Sequence, residues 1–280
     1  MSQKFLSVRQ DAGIMHVAIN NPPVNLLNGG MVKELFELVG QLTFDPTIKV
    51  VIFESALSDF FIAHFDLNDL VADDPASKSK FDDINILQSV ALCIQNLPQV
   101  TIAKVDGVCR GGGLELILGM TMRFASESAR FCAPEASSGF LACGGGTTRL
   151  AMACGPARAL EVLLSARDFS GKEAQDYGII NRALRKDELD AYVQSLAEGI
   201  AQRSAHSISV NRETVKRALG FAVEPLFAGL AYENDALRAS VVRPEFQEMV
   251  KAMLAQGQDY ESEMDLPRTI DRVLVSLAKV

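Results

Sequence analysis

The 280-residue sequence predicts an α/β fold built from repeated strand, strand, helix turns and followed by a helical C-terminal region. Two observations lead to that class. A strand, helix, strand rhythm over residues 14–54 recurs over 84–108, and from about residue 200 no further strand-like run appears. A hydrophobic content of 48% supplies core material for one large domain, or for a domain with a substantial appendage.

Taken in order, Phe5 to Val8 and Ile14 to Ile19 read as two strands around a hairpin turn at Asp11-Ala12-Gly13. Pro22-Pro23 then stops the sheet, because proline cannot donate to a ladder. Met31, Val32, Leu35, Leu38, Val39 and Leu42 recur at helical spacing, so an amphipathic helix is expected to start near Asn28. Ile48 to Glu54 reads as a buried strand. Phe60 to Lys80, with Asp73-Asp74-Pro75 and Ser77-Lys78-Ser79, reads as a polar loop of the length used for lids and binding loops. Ile84, Leu87, Val90 and Ile94 mark a helix that ends at Pro98, and Val100 to Val108 is a β-rich run. Further on, Arg130-Phe131-Cys132 is a short strand, and Ser170 with Glu173 forms a capping box ahead of a helix that Gly178 stops. Pro225 and Pro244 are expected to break the later helices. The segment 261–280 places Ile270, Val273, Leu274 and Leu277 on one face, a docking stripe too short for a membrane anchor.

Composition excludes several function classes. A net charge of -8 and a pI near 5.0 argue against nucleic acid as the main partner, since a phosphate-tracking surface needs clustered Lys and Arg. No run approaches the ~20 apolar residues of a membrane span. The first residues lack the apolar core of a secretory signal, and Ala278-Lys279-Val280 is not a peroxisomal address, so a cytoplasmic enzyme is expected. Cysteines 93, 109, 132, 143 and 154 form no C-x-x-C pair and no cluster with histidine. Buried free thiols are expected, with neither zinc nor disulfides.

The chemistry concentrates between Thr101 and Leu150. There a strand leads into Gly111-Gly112-Gly113 and then into an apolar segment, Leu114 to Met120, that carries Glu115. A glycine turn at a helix N-terminus presents unpaired N–H groups to an anion, or to an oxygen that becomes one during a reaction. Glu115 alone could be a helix-start acid satisfied by the helix dipole. Glu135, after Pro134 and a short strand, is a second carboxylate, or alone a simple turn residue. Two carboxylates sharing one partly apolar pocket can divide acid and base roles.

These motifs are ordered. Gly111 through Glu115, Pro134-Glu135 and then Thr147-Thr148-Arg149-Leu150 are preceded by Asn21 to Asn28 and by Phe61-Ile62-Ala63-His64-Phe65-Asp66-Leu67. Over roughly residues 10 to 255 the chain resembles the crotonase superfamily, the enoyl-CoA hydratases and isomerases. The resemblance implies a crotonase-like spiral of ββα units over residues 1–200, holding the active site. Residues 201–280 would be a helical region making oligomer contacts and covering the site. It implies an acyl-CoA thioester as substrate, with the N–H groups of Phe65 and Gly112 as oxyanion donors, Glu115 as general base and Glu135 as acid. Ala63, His64, Asp66, Leu67, Gly111 and Cys143 would line the substrate and CoA site. No metal or redox cofactor is expected, since CoA arrives as part of the substrate, and a homotrimer or dimer of trimers is implied. Two glutamates favour hydration of a 2-enoyl-CoA over isomerisation, because isomerases of the family commonly keep only the second. An isomerase, hydrolase or lyase, or a non-catalytic acyl-CoA-binding protein, remains the alternative.

Three positions depart from the family pattern. His64 stands where most members have glycine, Phe65 where alanine or glycine is usual, and Ala142-Cys143 where many hydratases have Pro-Gly. His64 reads as a loop histidine filling space or facing solvent, in preference to a third titratable group. Cys143 reads as a small residue, and Asp66 as a cap for the following turn at least as readily as a ligand.

Overall fold

A hairpin starts the chain. The computed structural model describes residues 4–72, 84–218 and 223–277, and its first strands, β1 (Leu6–Asp11) and β2 (Ile14–Ile19), pair antiparallel. Ala12 and Gly13 between them have φ of 48° and 80°, the positive values that a two-residue hairpin turn requires. Helix α1 (Gly29–Thr43) follows, capped by Asn28, whose side chain accepts from Met31 N–H; the six apolar residues expected on its inner face are all buried.

Three turns of a spiral come next. Each runs through a strand of one sheet, a strand of a second sheet, and then a helix. The first is β3 (Val50–Ser55), β4 (Phe60–Ile62), α2 (Leu67–Ala72) and α3 (Ile86–Asn96). The second is β5 (Val100–Val105), β6 (Val108–Arg110) and α4 (Gly112–Leu118). The third is β7 (Met122–Ser126), β8 (Arg130–Cys132), a 3-10 turn at Glu135–Ser138 and α5 (Gly146–Ser165). β9 (Phe169–Ser170), α6 (Gly171–Tyr177), β10 (Arg182–Leu184) and α7 (Lys186–Ala201) close the spiral. The six-stranded sheet runs β1-β2-β3-β5-β7-β10 and is parallel after the hairpin; the four-stranded sheet runs β4-β6-β8-β9. The central strands β2, β3 and β5 of the large sheet are covered on both faces, so they read as near-continuous apolar runs, whereas the edge strand β1 is largely exposed. Leu189, Val193 and Ala197 of α7 cover the outer face over Val50, Ile52 and Ile102, while α1, α3 and α4 pack inside.

The structure alters several sequence expectations. The run Val100 to Val108 is two strands in different sheets, joined by a corner at Asp106-Gly107. Gly107 has φ 96°, and a Cβ there would stand 2.3 Å from the Asp59 carbonyl oxygen, so the corner admits only glycine. Phe60 to Lys80 is not a loop throughout, since it opens with β4 and continues into α2; Asp73-Asp74-Pro75 and Ser77-Lys78-Ser79 lie outside the described residues. The capping box at Ser170 and Glu173 and the left-handed Gly178 stop both form as expected.

The C-terminal helices are α8 (Ala205–Ala218), α9 (Val223–Val241), α10 (Pro244–Gln256), α11 (Tyr260–Met264) and α12 (Leu266–Leu277). Pro225 and Pro244 fall in the first turns of α9 and α10, so they start helices instead of breaking them; a first-turn N–H has no helical acceptor to lose. Leu266, Ile270 and Val273 of α12 pack on Met249 and Met253 of α10, whereas Leu274 faces outward. No helix among the described residues is long and apolar enough to cross a membrane.

One buried amide joins the N-terminal motif to the spiral. Asn25, at φ 54°, accepts from Asn21 N–H at 2.6 Å and donates to Ser55 Oγ at 2.9 Å and the Phe61 carbonyl at 3.1 Å. Asn25→Ala should therefore lower stability by about 2–4 kcal/mol in urea unfolding, because it strands several buried backbone groups at once. A loss below about 0.5 kcal/mol would contradict that role.

Candidate active site

Two backbone segments meet at the site. One is the 64–66 segment, which Leu27 holds through hydrogen bonds of 2.9 Å to the His64 carbonyl and from the Asp66 N–H. Because pairing at 64 and 66 faces one way along an extended strand, the Phe65 N–H points the other way. The second segment is the glycine turn. Gly111 adopts φ 46° and ψ -125°, a conformation reserved for glycine, and donates to the Cys132 carbonyl at 2.9 Å. Gly112 then opens α4. A Cβ on Gly112 would sit 3.2 Å from Phe65 Cβ, so the glycine lets the two segments approach closely. Neither the Phe65 nor the Gly112 N–H has a protein acceptor among the described residues.

Glu115 lies one turn into α4 and is buried. Its Oε1 accepts from Gly144 N–H at 2.6 Å and Gly146 N–H at 3.0 Å. A Cβ on either glycine would come within 2.7–2.8 Å of a Glu115 oxygen, which explains the glycine cluster: backbone must reach the carboxylate directly. Burial pushes the Glu115 carboxyl well above the usual carboxylate range, and the charges of Glu135 and Glu233 push it further; the two backbone donors offset part of this. Glu135 starts the 3-10 turn, also buried, and its Oε2 has no hydrogen-bond partner among the described residues. Burial raises its pKa to about 7.

The cavity around these groups has apolar walls. Leu67, Leu87 and Phe140 come from the spiral, and Val250, Met253 and Ile270 come from α10 and α12, so the C-terminal helices cover the pocket of their own chain. Of the residues expected at the site, His64, Phe65, Leu67, Gly112, Glu115, Glu135 and Cys143 line this cavity. Gly111 stands behind it against Glu135. Ala63 is buried beneath, donating to Val24, and Asp66 is an N-terminal cap: it accepts from Asn68 N–H at 2.9 Å and from Gln258 at 3.0 Å. The Cys143 carbonyl accepts from the Asn85 side chain at 2.7 Å, and burial raises the thiol pKa.

His64 departs most from expectation. It neither faces solvent nor merely fills space. Its ring is buried, with Nε2 2.9 Å from Glu263 Oε1 on α11 and Nδ1 2.7 Å from the Phe65 carbonyl. Burial lowers its pKa, but the charge and hydrogen bond of Glu263 outweigh that, and the net shift is upward. Sequence reasoning also missed Glu233 on α9, which accepts from Thr148 N–H at 2.6 Å and Gln88 at 3.1 Å. Asn85 could have been found, since Asn85 with Gln88 is a capping box.

With this geometry in hand, comparison with known proteins is decisive. Residues 9–262 match the family profile described as enoyl-CoA hydratase/isomerase. The chain belongs to that family. It is 30% identical over 256 residues to a peroxisomal Delta(3,5)-Delta(2,4)-dienoyl-CoA isomerase of Arabidopsis thaliana, covering 87% of this chain and 91% of the plant protein. To the mitochondrial methylglutaconyl-CoA hydratase of Homo sapiens it is 31% identical, covering 80% of this chain and 66% of the human one. A Streptomyces avermitilis structure, described provisionally as an enoyl-CoA hydratase, superposes with a TM-score of 0.87 at 36% identity over 98% of this chain and 99% of its own. The enoyl-CoA hydratase/isomerase family acts on acyl-CoA thioesters, and its fold is the spiral seen here.

The raised Glu135 carboxyl gives a direct expectation. In infrared difference spectra of the carbon-13 glutamate-labelled protein, one component of the protonated-carboxyl band should be lost as pH rises through about 7. Glu135→Gln should remove that transition. An unchanged band would show that the titrating group lies elsewhere.

Proposed function

We propose that the chain is an enoyl-CoA hydratase that adds water syn across the double bond of a 2-enoyl-CoA. The observation that carries this reading is two buried carboxyls, Glu115 and Glu135, in one apolar cavity with the N–H groups of Phe65 and Gly112. Those N–H groups are the donors for a thioester oxygen. As the β-carbon accepts a nucleophile, charge builds on that oxygen, and each donor is worth about 3 kcal/mol there and less in the ground state.

The carboxyls then share the rest. Water sits between them; its O–H bond breaks toward Glu115 as its oxygen bonds the β-carbon, giving the enolate. Glu135 supplies a proton to the α-carbon, and the enolate collapses to the 3-hydroxyacyl thioester. Gly144 and Gly146 hold Glu115 in one orientation for this task. Glu135 Oε2, without a protein partner, is the oxygen free to engage water or substrate. Burial keeps a proton on the pair near neutrality, and which carboxyl holds it is a property of both together. CoA enters as part of the substrate, and the chemistry calls for no metal or redox cofactor.

Isomerisation moves one proton between two carbons of the same face and needs one carboxyl. The second, fixed by two glycine donors, is better explained by hydration. A homotrimer or dimer of trimers also belongs to this reading, supported by exposed Met152, Leu160 and Leu164 along α5.

Loss of the conjugated thioester absorbance on mixing with crotonyl-CoA and longer enoyl-CoAs tests the proposal. Glu115→Gln and Glu135→Gln should each lower kcat by about 10²–10⁴ while thermal unfolding stays close to that of the parent. Undiminished rates in either variant would falsify the mechanism. Binding without turnover across the panel would favour the acyl-CoA-binding alternative. Light scattering should give a mass that is a multiple of three times 30.3 kDa; a monomer would exclude the assembly.

A further inference from the structure

His64, which lines the cavity, and Glu263, buried behind it, are joined across 199 residues of sequence, and neither performs a step of the proposed reaction. Two hydrogen bonds define the imidazole. A carbonyl oxygen can only accept, so Nδ1 donates to Phe65; the 2.9 Å contact at Nε2 is to a carboxylate oxygen. With Glu263 ionised, both ring nitrogens face acceptors, an arrangement that only the imidazolium satisfies in full. We infer that Glu263, acting through a charged His64, is a positioning residue for the oxyanion donor Phe65. This rests on the oxyanion role proposed above.

Glu263 is itself held from two sides. Arg110 of β6 donates to the Glu263 carbonyl and forms a bidentate pair with Asp168 at 2.7 Å for each bond. Arg130 of β8 donates to the Met264 carbonyl at 2.7 Å. The carboxylate therefore arrives from α11 on a backbone anchored to the small sheet, independently of His64. Around Phe65, Leu27 holds the 64–65 peptide through the His64 carbonyl and the 65–66 peptide through the Asp66 N–H, and the imidazolium adds a second hold on the 65–66 peptide at the Phe65 carbonyl, on the side from which the Phe65 N–H projects. With both flanking peptides held, the Phe65 N–H has one direction.

The charged groups facing His64 are Glu263 on α11, Arg110 on β6 and Glu135 on the 3-10 turn. Arg110 and the burial of the ring oppose the imidazolium; Glu263 sustains it. The charge of His64 in turn draws the Glu135 pKa down against the effect of burial. Because the His64 pKa is raised, the imidazolium is complete at low pH and is lost as pH rises through a value above 6.5.

The test uses the full chain and three readouts: steady-state kinetics against pH, the infrared thioester carbonyl band of bound butanoyl-CoA, and NMR titration of labelled histidine. Glu263→Gln keeps an acceptor for Nε2 but removes the charge. It should lower kcat by about tenfold to a hundredfold with KM within about twofold, as expected when a transition-state donor is misplaced. It should also move the alkaline limb of kcat and the His64 titration to lower pH, and shrink the carbonyl shift of bound butanoyl-CoA. Glu263→Asp should recover part of each. Where Glu263→Gln does not fold, the double variant H64L/E263L removes both charges in favour of apolar volume. A mere clasp would regain full kcat and carbonyl shift in that double variant; a positioning pair would not. Wild-type kinetics, pH profile and carbonyl shift in Glu263→Gln overturn the inference. Absence of hydration with an intact, Glu263-dependent carbonyl shift overturns only the hydratase reading, and absence of any carbonyl shift in the parent overturns both.

Discussion

Burying a carboxyl inside an apolar helix is costly unless donors reach it, and the position of Glu115 sets the composition of its surroundings. Side-chain donors would fill the cavity. Backbone donors at Gly144 and Gly146 do not, but they must come so close that any Cβ would collide with the carboxylate. Gly144 and Gly146 are therefore a consequence of Glu115, while Gly145 between them is required by its own φ of 102° at the start of α5. The same economy of space operates at Gly113, where a Cβ would stand 2.7 Å from Ile62 Cβ. That contact packs α4 onto β4 and brings the Phe65 segment beside Gly112. A single helix, carried on the second turn of the spiral, thus determines where the Phe65 and Gly112 backbones can lie.

Much of this was legible because the constraints are local. Gly111 needs a backbone conformation open to glycine alone, Ser170 with Glu173 and Asn28 cap their own helices, and apolar residues recur at the period of their element. The ordered motifs around Glu115 and Glu135 carried the family resemblance for the same reason, since each is a short run with a fixed internal spacing. What escaped was set by distant contacts. Glu263 sits in Glu261-Ser262-Glu263-Met264-Asp265, and nothing in that acidic run distinguishes the buried member from the solvated ones. Glu233 is likewise one charge on a long helix, made significant only by Thr148 and Gln88. The corner at Gly107 escaped for another reason: the strands on either side are both apolar, so alternation cannot mark where one sheet gives way to the other.

The C-terminal helices contribute more than apolar walls. α9 brings Glu233 against the start of α5, and its charge adds to the upward shift of the Glu115 pKa, so that the ionised carboxylate is a stronger base. α11 brings Glu263 to His64. Two acidic residues from the helical region therefore act on opposite sides of the cavity, Glu233 on Glu115 and Glu263 on His64. Their effects have opposite sign. Glu233 adds negative charge to a site already holding two carboxyls, whereas Glu263 sustains a positive charge beside the Phe65 donor.

That opposition bears on how the pocket can be both apolar and reactive. Three buried carboxyls without cations nearby would all take up protons, and none would serve as a base. Arg149, buried and bonded to Gln95, lies within the field of Glu115 and Glu233, and His64 lies within that of Glu135. Each acid is thus paired electrostatically with a cation it does not contact. A direct ion pair would lock the carboxylate as a charge and consume its oxygens in hydrogen bonds. A cation held at a distance by other partners moderates the pKa and leaves the reacting oxygen available, as at Glu135 Oε2. His64 fits that scheme: its charge lowers the Glu135 pKa without a direct contact, and Glu263 favours that charge.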